Sequence, residues 1–332
     1  MKGKYDCIEF TMNRSYLDQM AVQRSKRNKT ISLNETEIDH YLGLCSKRNE
    51  QERPADIIFH GDVFEILQTL PNSFVDLLIV DPPYNINKLY GSKAFKKMND
   101  DDYLSFTRQW LDAVKHTLKQ TATVYVCSDW QTSLILGTVL SDFFTIRNRI
   151  TWQREKGRGA VHNWKNSIED IWFATVSPKE YTFNTDAVKM RRRVLAPYKI
   201  SGKPKDWTES ENGKFRDTFP SNFWDDISIP YWSMAENTDH PTQKPEKLIA
   251  KLILASSGPG DMVLDPFVGS GTTAVVAKKL GRKYIGIERE AEYCAYTQKR
   301  LEMTEEKPTI QGYSDGVFWE RNTLASQQKS KK

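Results

Sequence analysis

The sequence predicts an α/β fold: a doubly wound, mostly parallel sheet interrupted by an inserted region. Three observations predict it. The run Val75–Val80 is apolar on both faces except for Asp76, the pattern of a strand buried inside a parallel sheet. Strand and helix patterns alternate over 56–180 and again over 240–302, as they do when helices cover both faces of such a sheet. Finally, a strand at 262–264 turns into a helix through Gly269 and Gly271, and the next strand ends in Glu288, 23 residues after Asp265. That spacing is the pattern of a nucleotide-type fold, where glycines admit a ligand and a second acid accepts from ribose hydroxyls.

The composition sets the frame. The chain has 332 residues, 39% apolar and 27% charged, with a net charge of +5. That is enough chain for one large domain or two modest ones. No apolar run has the length of a membrane span, and Met1-Lys2-Gly3-Lys4 leads into no apolar signal core; the expectation is a cytoplasmic protein with no membrane partner. Cys7, Cys45, Cys127 and Cys294 are far apart, so neither a metal site nor a disulfide frame is expected.

Five regions follow in order: an extension (1–55), a first half of the sheet (56–180), an insert (181–239), a second half (240–302) and a tail (303–332). The extension is basic in places (Arg24, Lys26, Arg27, Lys29), with a short helix near 36–44. It reads equally as an accessory arm and as an arm for DNA contact or dimer formation. A strand at 57–60 leads to Asp62, which can cap the next helix with Glu65 or, at a strand end, accept from an adenine amine. Val75–Val80 then delivers Asp81-Pro82-Pro83-Tyr84. The prolines fix φ and remove two donors. A carboxylate, a rigid carbonyl and a ring make a receptor for a flat amine; a plain turn with Tyr84 as packing is the other reading.

Residues 85–99 lack periodicity and carry Lys88, Lys93, Lys96 and Lys97, which suggests a mobile basic loop. Asp100–Asp102 is expected to cap a helix whose Tyr103, Phe106, Trp110 and Val114 face the core. Strands follow at 121–127, 146–152 and 168–175. Between the last two, Arg154, Lys156, Arg158 and Lys165 stand among glycines and the tryptophans Trp152 and Trp164, a mixture that suits phosphates and unstacked bases. In the insert, Arg191-Arg192-Arg193 precedes Trp207, Phe215, Phe219, Phe223, Trp224, Tyr231 and Trp232. Most of these aromatics are expected to form the insert's own core. Pro245 suits the first position of a helix whose Leu248, Ile249, Leu252 and Ile253 are buried. Thr242 and Lys244, just before it, are placed to bind a carboxylate. The tail is expected to be peripheral, with Phe318 and Trp319 docking.

Taken together, Asp81-Pro82-Pro83-Tyr84, His240-Pro241-Thr242-Gln243-Lys244-Pro245 and Asp265-Pro266-Phe267-Val268-Gly269-Ser270-Gly271 resemble the motifs of the DNA amino-methyltransferases, in the order of the β group. The resemblance covers about 56–302 and implies a Rossmann-like methyltransferase sheet, a target-recognition insert and S-adenosylmethionine as cofactor. It implies catalytic roles for Asp81, Pro82, Pro83 and Tyr84. It implies a cofactor site of Asp62, Asp81, Thr242, Lys244, Asp265, Pro266, Phe267, Gly269, Ser270, Gly271, Thr272 and Glu288. Within it Glu288 would hold ribose, Asp62 adenine, the 265–271 loop the methionine part, and Thr242 and Lys244 the carboxylate end. Double-stranded DNA would meet Lys88, Arg154, Lys156, Arg158, Arg191, Arg192 and Arg193. The usual setting is restriction-modification, with a cognate endonuclease as functional partner and a homodimer possible.

Asp at the first catalytic position is usual for N6-adenine enzymes and Ser for N4-cytosine enzymes, so Asp81 points to adenine. One departure is that Tyr84-Asn85-Ile86-Asn87-Lys88-x-Tyr90 is similar to sequences that follow the Ser version. The competing readings are an N4-cytosine enzyme, a silent DNA-binding module, an RNA substrate, and a nicotinamide dehydrogenase. The doubled prolines and the incomplete Gly-x-Gly-x-x-Gly speak against the last.

Overall fold

A computed structural model describes residues 25–90, 93–154, 162–194, 198–210 and 213–321. The first half runs α1 (Glu35–Leu42), β1 (Ile57–His60), α2 (Val63–Leu67), β2 (Val75–Val80), β3 (Lys88–Tyr90), β4 (Lys93–Phe95), α3 (Asp100–Lys115), β5 (Leu118–Ser128), α4 (Trp130–Phe143), β6 (Thr145–Gln153) and β7 (Ile168–Thr175). The insert holds β8 (Met190–Arg193), β9 (Lys199–Ile200), β10 (Lys203–Pro204), β11 (Thr208–Ser210), β12 (Gly213–Thr218) and β13 (Phe223–Trp224). The second half and tail hold α5 (Glu246–Ser256), β14 (Met262–Asp265), α6 (Thr272–Lys279), β15 (Lys283–Glu288), α7 (Ala291–Met303), β16 (Tyr313–Ser314) and β17 (Val317–Trp319).

The main sheet has the order β1-β15-β14-β2-β5-β7-β6-β13. Its first five strands are mutually parallel, and β7 runs antiparallel between β5 and β6. The doubly wound, mostly parallel prediction therefore matches the fold. Alternation explains the two-layer core. Leu77 and Ile79 of β2 face the α5 and α6 side with Leu248, Ile253 and Val276. Leu78 and Val80 face the α3 and α4 side with Trp110, Leu111 and Leu140. All four β2 side chains are buried, at about 1.5–3 kcal/mol each. Asp76, the polar break in that strand, accepts from Lys119 Nζ at 2.7 Å and from the Met262 amide at 2.9 Å, which ties β14 to β2.

Several local expectations change. Residues 85–99 contain a hairpin, β3 against β4. Its base is held by Asn85, whose side chain accepts from Met98 N at 2.7 Å and donates to Met98 O at 3.1 Å. Asn99, not Asp100–Asp102, caps α3, and the three acids occupy its first turn. Pro245 is the cap residue of α5 rather than its first residue. Every residue of α5 is buried, including Lys247 and Lys251, because Asp226 takes both ammonium groups, at 2.6 and 2.8 Å.

The insert does not close a core alone. Phe219, Phe223, Tyr231 and Trp232 are exposed, four of the seven aromatics of which most are expected inside. Trp224 lies in β13, which joins the main sheet beside β6. A second sheet has the order β11-β12-β8-β17-β16. The tail is therefore part of it. β17 pairs with β8, Phe318 and Trp319 are buried, and Trp319 packs on Phe215 at 5.7 Å.

The described part of the extension is docked. Asn34 and Glu37 form a capping box at the start of α1, and Tyr41 donates to Glu302 of α7 at 2.6 Å. Upstream, Ile31 N donates to Asn237 O at 2.8 Å and Lys29 N to Trp232 O at 2.6 Å. Among the described residues no helix is long and apolar enough to cross a membrane.

Candidate active site

Neighbouring parallel strands send their C-terminal ends to one edge of the sheet, where ligands sit in folds of this kind. β1 delivers Asp62, β15 Glu288, β14 Asp265 and β2 Asp81. A cavity of about 260 Å³ lies there. Of the catalytic and cofactor residues expected from the sequence, all but Gly271 line it. Gly271 sits just behind, as the cap of α6, at φ +84°. Gly269 also has positive φ, +55°, so the turn takes a path that other residues resist.

The cofactor end has three acids in three environments. Asp265 accepts from Thr273 Oγ1 at 2.6 Å and from the Phe267 amide at 3.0 Å. Burial nevertheless pushes its carboxyl up to about 7. Glu288 accepts from the amides of Gly269, Arg289 and Glu290 at 2.8–3.0 Å. Burial raises it, with those amides opposing. Asp62 Oδ1 caps α2 through the Phe64 amide at 2.9 Å. The donor set fits S-adenosylmethionine: a buried acid suits an ammonium, a strand-end carboxylate suits ribose hydroxyls, and Phe64 and Phe267 supply apolar wall for a base.

His240 is neutral, since burial lowers it to about 3. Its Nδ1 accepts from Thr242 N at 3.3 Å, and its ring meets Tyr293 edge-on at 4.3 Å. Gln243 braces the same loop by accepting from the Thr238 amide and hydroxyl and donating to Glu236 O.

Toward Asp81 the cavity wall is charged. Lys244, expected at the carboxylate end of the cofactor, lines the cavity and is also paired inside the protein. Its ammonium lies 2.6 Å from Asp81 Oδ2 and 3.3 Å from Glu169 Oε2. Burial opposes the charge, but Asp81 and Glu169 outweigh it and hold the ammonium well above its ordinary value. The lysine is drawn in because two carboxylates at a strand edge demand a cation there. Tyr84, expected as a stacking face, has a second role. It is buried, its hydroxyl donates to Asp81 Oδ1 at 2.7 Å, and its ring lies 5.4 Å from the Lys244 ammonium. Burial, then Asp81 and Glu169, raise its phenol well above the usual range, so the hydroxyl stays protonated and can donate.

Of the basic residues expected to meet DNA, Arg154 pairs with Glu169 at 2.7 Å beside this cluster. Lys88 is half-buried, its ammonium lowered by burial first and by Arg154 second. Arg191 and Arg192 are already paired, with Asp217 at 2.7 Å and Glu320 at 3.3 Å, while Arg193 is exposed. Lys156 and Arg158 lie outside the described residues. Sequence reasoning missed Glu169. The available signal was Glu169-Asp170 at the start of an otherwise apolar strand, since buried acids require partners.

The sequence matches the family of N6 and N4 methyltransferases described as DNA methylase over residues 75–299. It is 34% identical over 255 residues to DNA adenine methyltransferase YhdJ of Escherichia coli (strain K12), covering 75% of this chain and 83% of that one. It is 35% identical over 244 residues to type II methyltransferase M.HpaI of Haemophilus parainfluenzae, covering 73% of each. Among solved structures, PvuII DNA methyltransferase (cytosine-N4-specific) aligns with TM-score 0.54 at 20% identity, over 80% of this chain and 90% of that one. TTHA0409 from Thermus thermophilus, complexed with S-adenosyl-L-methionine, aligns with TM-score 0.50 at 20% identity, over 80% and 98%. At such identity these two structures speak for the fold alone. A family match over well more than half of the chain, with two relatives above 30% identity along most of their length, makes this protein a member of the DNA methylase family, a methyltransferase that uses S-adenosylmethionine.

Proposed function

We propose that this chain is a site-specific N6-adenine methyltransferase of double-stranded DNA. The observation that carries the reading is Asp81: a carboxylate, rather than a hydroxyl, lines the cavity, held by Tyr84 and Lys244. The names of the two relatives, one of them an adenine methyltransferase, agree with it.

When bound, S-adenosylmethionine supplies an electrophilic methyl on a sulfonium. Asp265, Glu288 and Asp62, which line the cavity, would hold it with the 265–271 turn, and Thr242 would meet its carboxylate. The adenine nitrogen is a poor nucleophile because its lone pair is delocalised into the ring. Asp81 and the Pro82 carbonyl each accept one N–H, which makes the nitrogen more pyramidal and localises the pair. Asp81 or water would take the proton that the nitrogen sheds once it is methylated. Positioning and electrostatics are the sources of rate. The base must leave the duplex to reach Asp81, and Lys88, Arg154, Arg191, Arg192 and Arg193 would meet its phosphates. The setting is a restriction-modification system in the cytoplasm, with a cognate endonuclease as functional partner and self-association into a dimer.

The test is to incubate the protein with unmethylated DNA and methyl-labelled S-adenosylmethionine, digest to nucleosides and identify the label. Labelled N6-methyladenine is expected. Labelled N4-methylcytosine would replace the base in this reading, and no label on DNA would overturn it. Asp81→Ala is expected to lose at least about a hundredfold in rate while keeping DNA affinity.

A further inference from the structure

We infer that Glu169 is a positioning residue for the transfer, holding Lys244 against Asp81 and fixing where the catalytic carboxylate can accept. The inference rests on the transfer reading above. Topology puts Glu169 there. β7 runs antiparallel to β5, so its start lies at the edge where the parallel strands end; Asp170 pairs with Ser128, and two residues earlier in β5 Val126 pairs with Val80. Glu169 is buried, and none of the three sequence motifs contains it.

Its two oxygens do different work. Oε1 takes Arg154 at 2.7 Å. Oε2 lies 3.3 Å from the Lys244 ammonium and 3.4 Å from the Tyr84 hydroxyl. A lysine facing Asp81 alone is free to bridge both Asp81 oxygens. Pulled aside by Glu169, it takes Oδ2 at 2.6 Å and leaves Oδ1 to Tyr84 at 2.7 Å. Each Asp81 oxygen then keeps one lone pair for the amine of a base. The charges near Asp81 are Lys244, Arg154 and Lys88 against Glu169 and Asp265. Tyr84, Cys127 and His240, which also face it, are neutral groups at pH 7. Lys244 is thus the cation between the buried Glu169 and the partly exposed Asp81, and Glu169 decides its position.

The experiment measures kcat, both KM values and the pH profile of kcat for the wild type and for E169Q, E169D, K244M and K244M/E169Q, with thermal denaturation of each. E169Q is expected to lose roughly 10–100-fold in kcat with both KM values nearly unchanged, and E169D to recover part of it. K244M leaves two carboxylates facing each other, so its acid limb should move up by about one pH unit or more; adding E169Q should move it back. A purely structural Glu169 would change melting temperature and leave the limb in place. Wild-type activity with kcat of E169Q unchanged, or with no movement of the limb in K244M, overturns this inference alone. A wild type that methylates no DNA overturns the transfer reading, and the positioning role with it.

Discussion

Gly271→Ala tests the cofactor turn. Gly271 has φ +84° and ψ 17° as the cap of α6, and a residue with a Cβ loses about 1–2 kcal/mol in that region. The added carbon would also lie 2.5 Å from Thr297 Cγ2 and 2.7 Å from Thr297 Oγ1. Thr297 cannot turn away freely, because it is buried on α7 and its hydroxyl is shared between Gly269 O at 2.9 Å and Tyr293 O at 3.0 Å. Overpacking of this kind costs about 1–3 kcal/mol, and a lost hydrogen bond about 0.5–1.5. The sum, roughly 2.5–6.5 kcal/mol, is more than the turn can take up without moving. The movement would fall on Gly269 and Ser270, which line the cavity. Cofactor affinity, measured by calorimetry, should fall at least about a hundredfold, which is some 2.7 kcal/mol. The double variant Gly271→Ala/Thr297→Ala removes the overlap but not the backbone strain, so it should recover part of that loss. A single variant that binds within threefold of the wild type, with an unchanged melting temperature, would refute the reasoning.

Cofactor affinity should rise with pH between about 5.5 and 7 and then level off, by at most tenfold per unit. Asp265, raised from 3.8 to about 7 by burial, must ionise to meet an ammonium. Asp265→Asn should flatten the profile, and an equally steep profile in that variant would reject the assignment. The same shift favours the ligand-free fold in acid. The folded state keeps this proton up to about 7 while the unfolded chain sheds it near 3.8, so stability from this group is lost as pH rises through that window. Asp226→Ala should destabilise the fold by about 3–5 kcal/mol, read by urea denaturation. Lys247 and Lys251 would be left buried without their carboxylate. Burial already opposes the ionised Asp226, and only the two lysines hold it below its ordinary range; a loss under 1 kcal/mol would show that they find other partners.

Periodicity alone makes the sheet legible. The both-faced apolar run of β2, the strand–glycine–helix turn after β14 and the acid ending β15 depend on neighbours close in sequence. Their chemistry follows from a strand's two faces and a turn's φ. The same local logic locates Asp81, Asp265 and Glu288, each at the end of its own strand. What local reasoning does not decide is who meets whom across the chain. Lys244 reads as a cofactor ligand from its place before a helix, but it pairs with Asp81, 163 residues away. Glu169 reads as an odd acid until β7 is known to run antiparallel to β5. The tail reads as peripheral until β17 is placed beside β8, and Arg191 and Arg192 read as DNA contacts with no sign of their ion pairs until Asp217 and Glu320 are placed beside them. Charge pairing and strand order are long-range choices. They depend on which carboxylate and which cation are brought together out of water, and only the tertiary structure makes that choice.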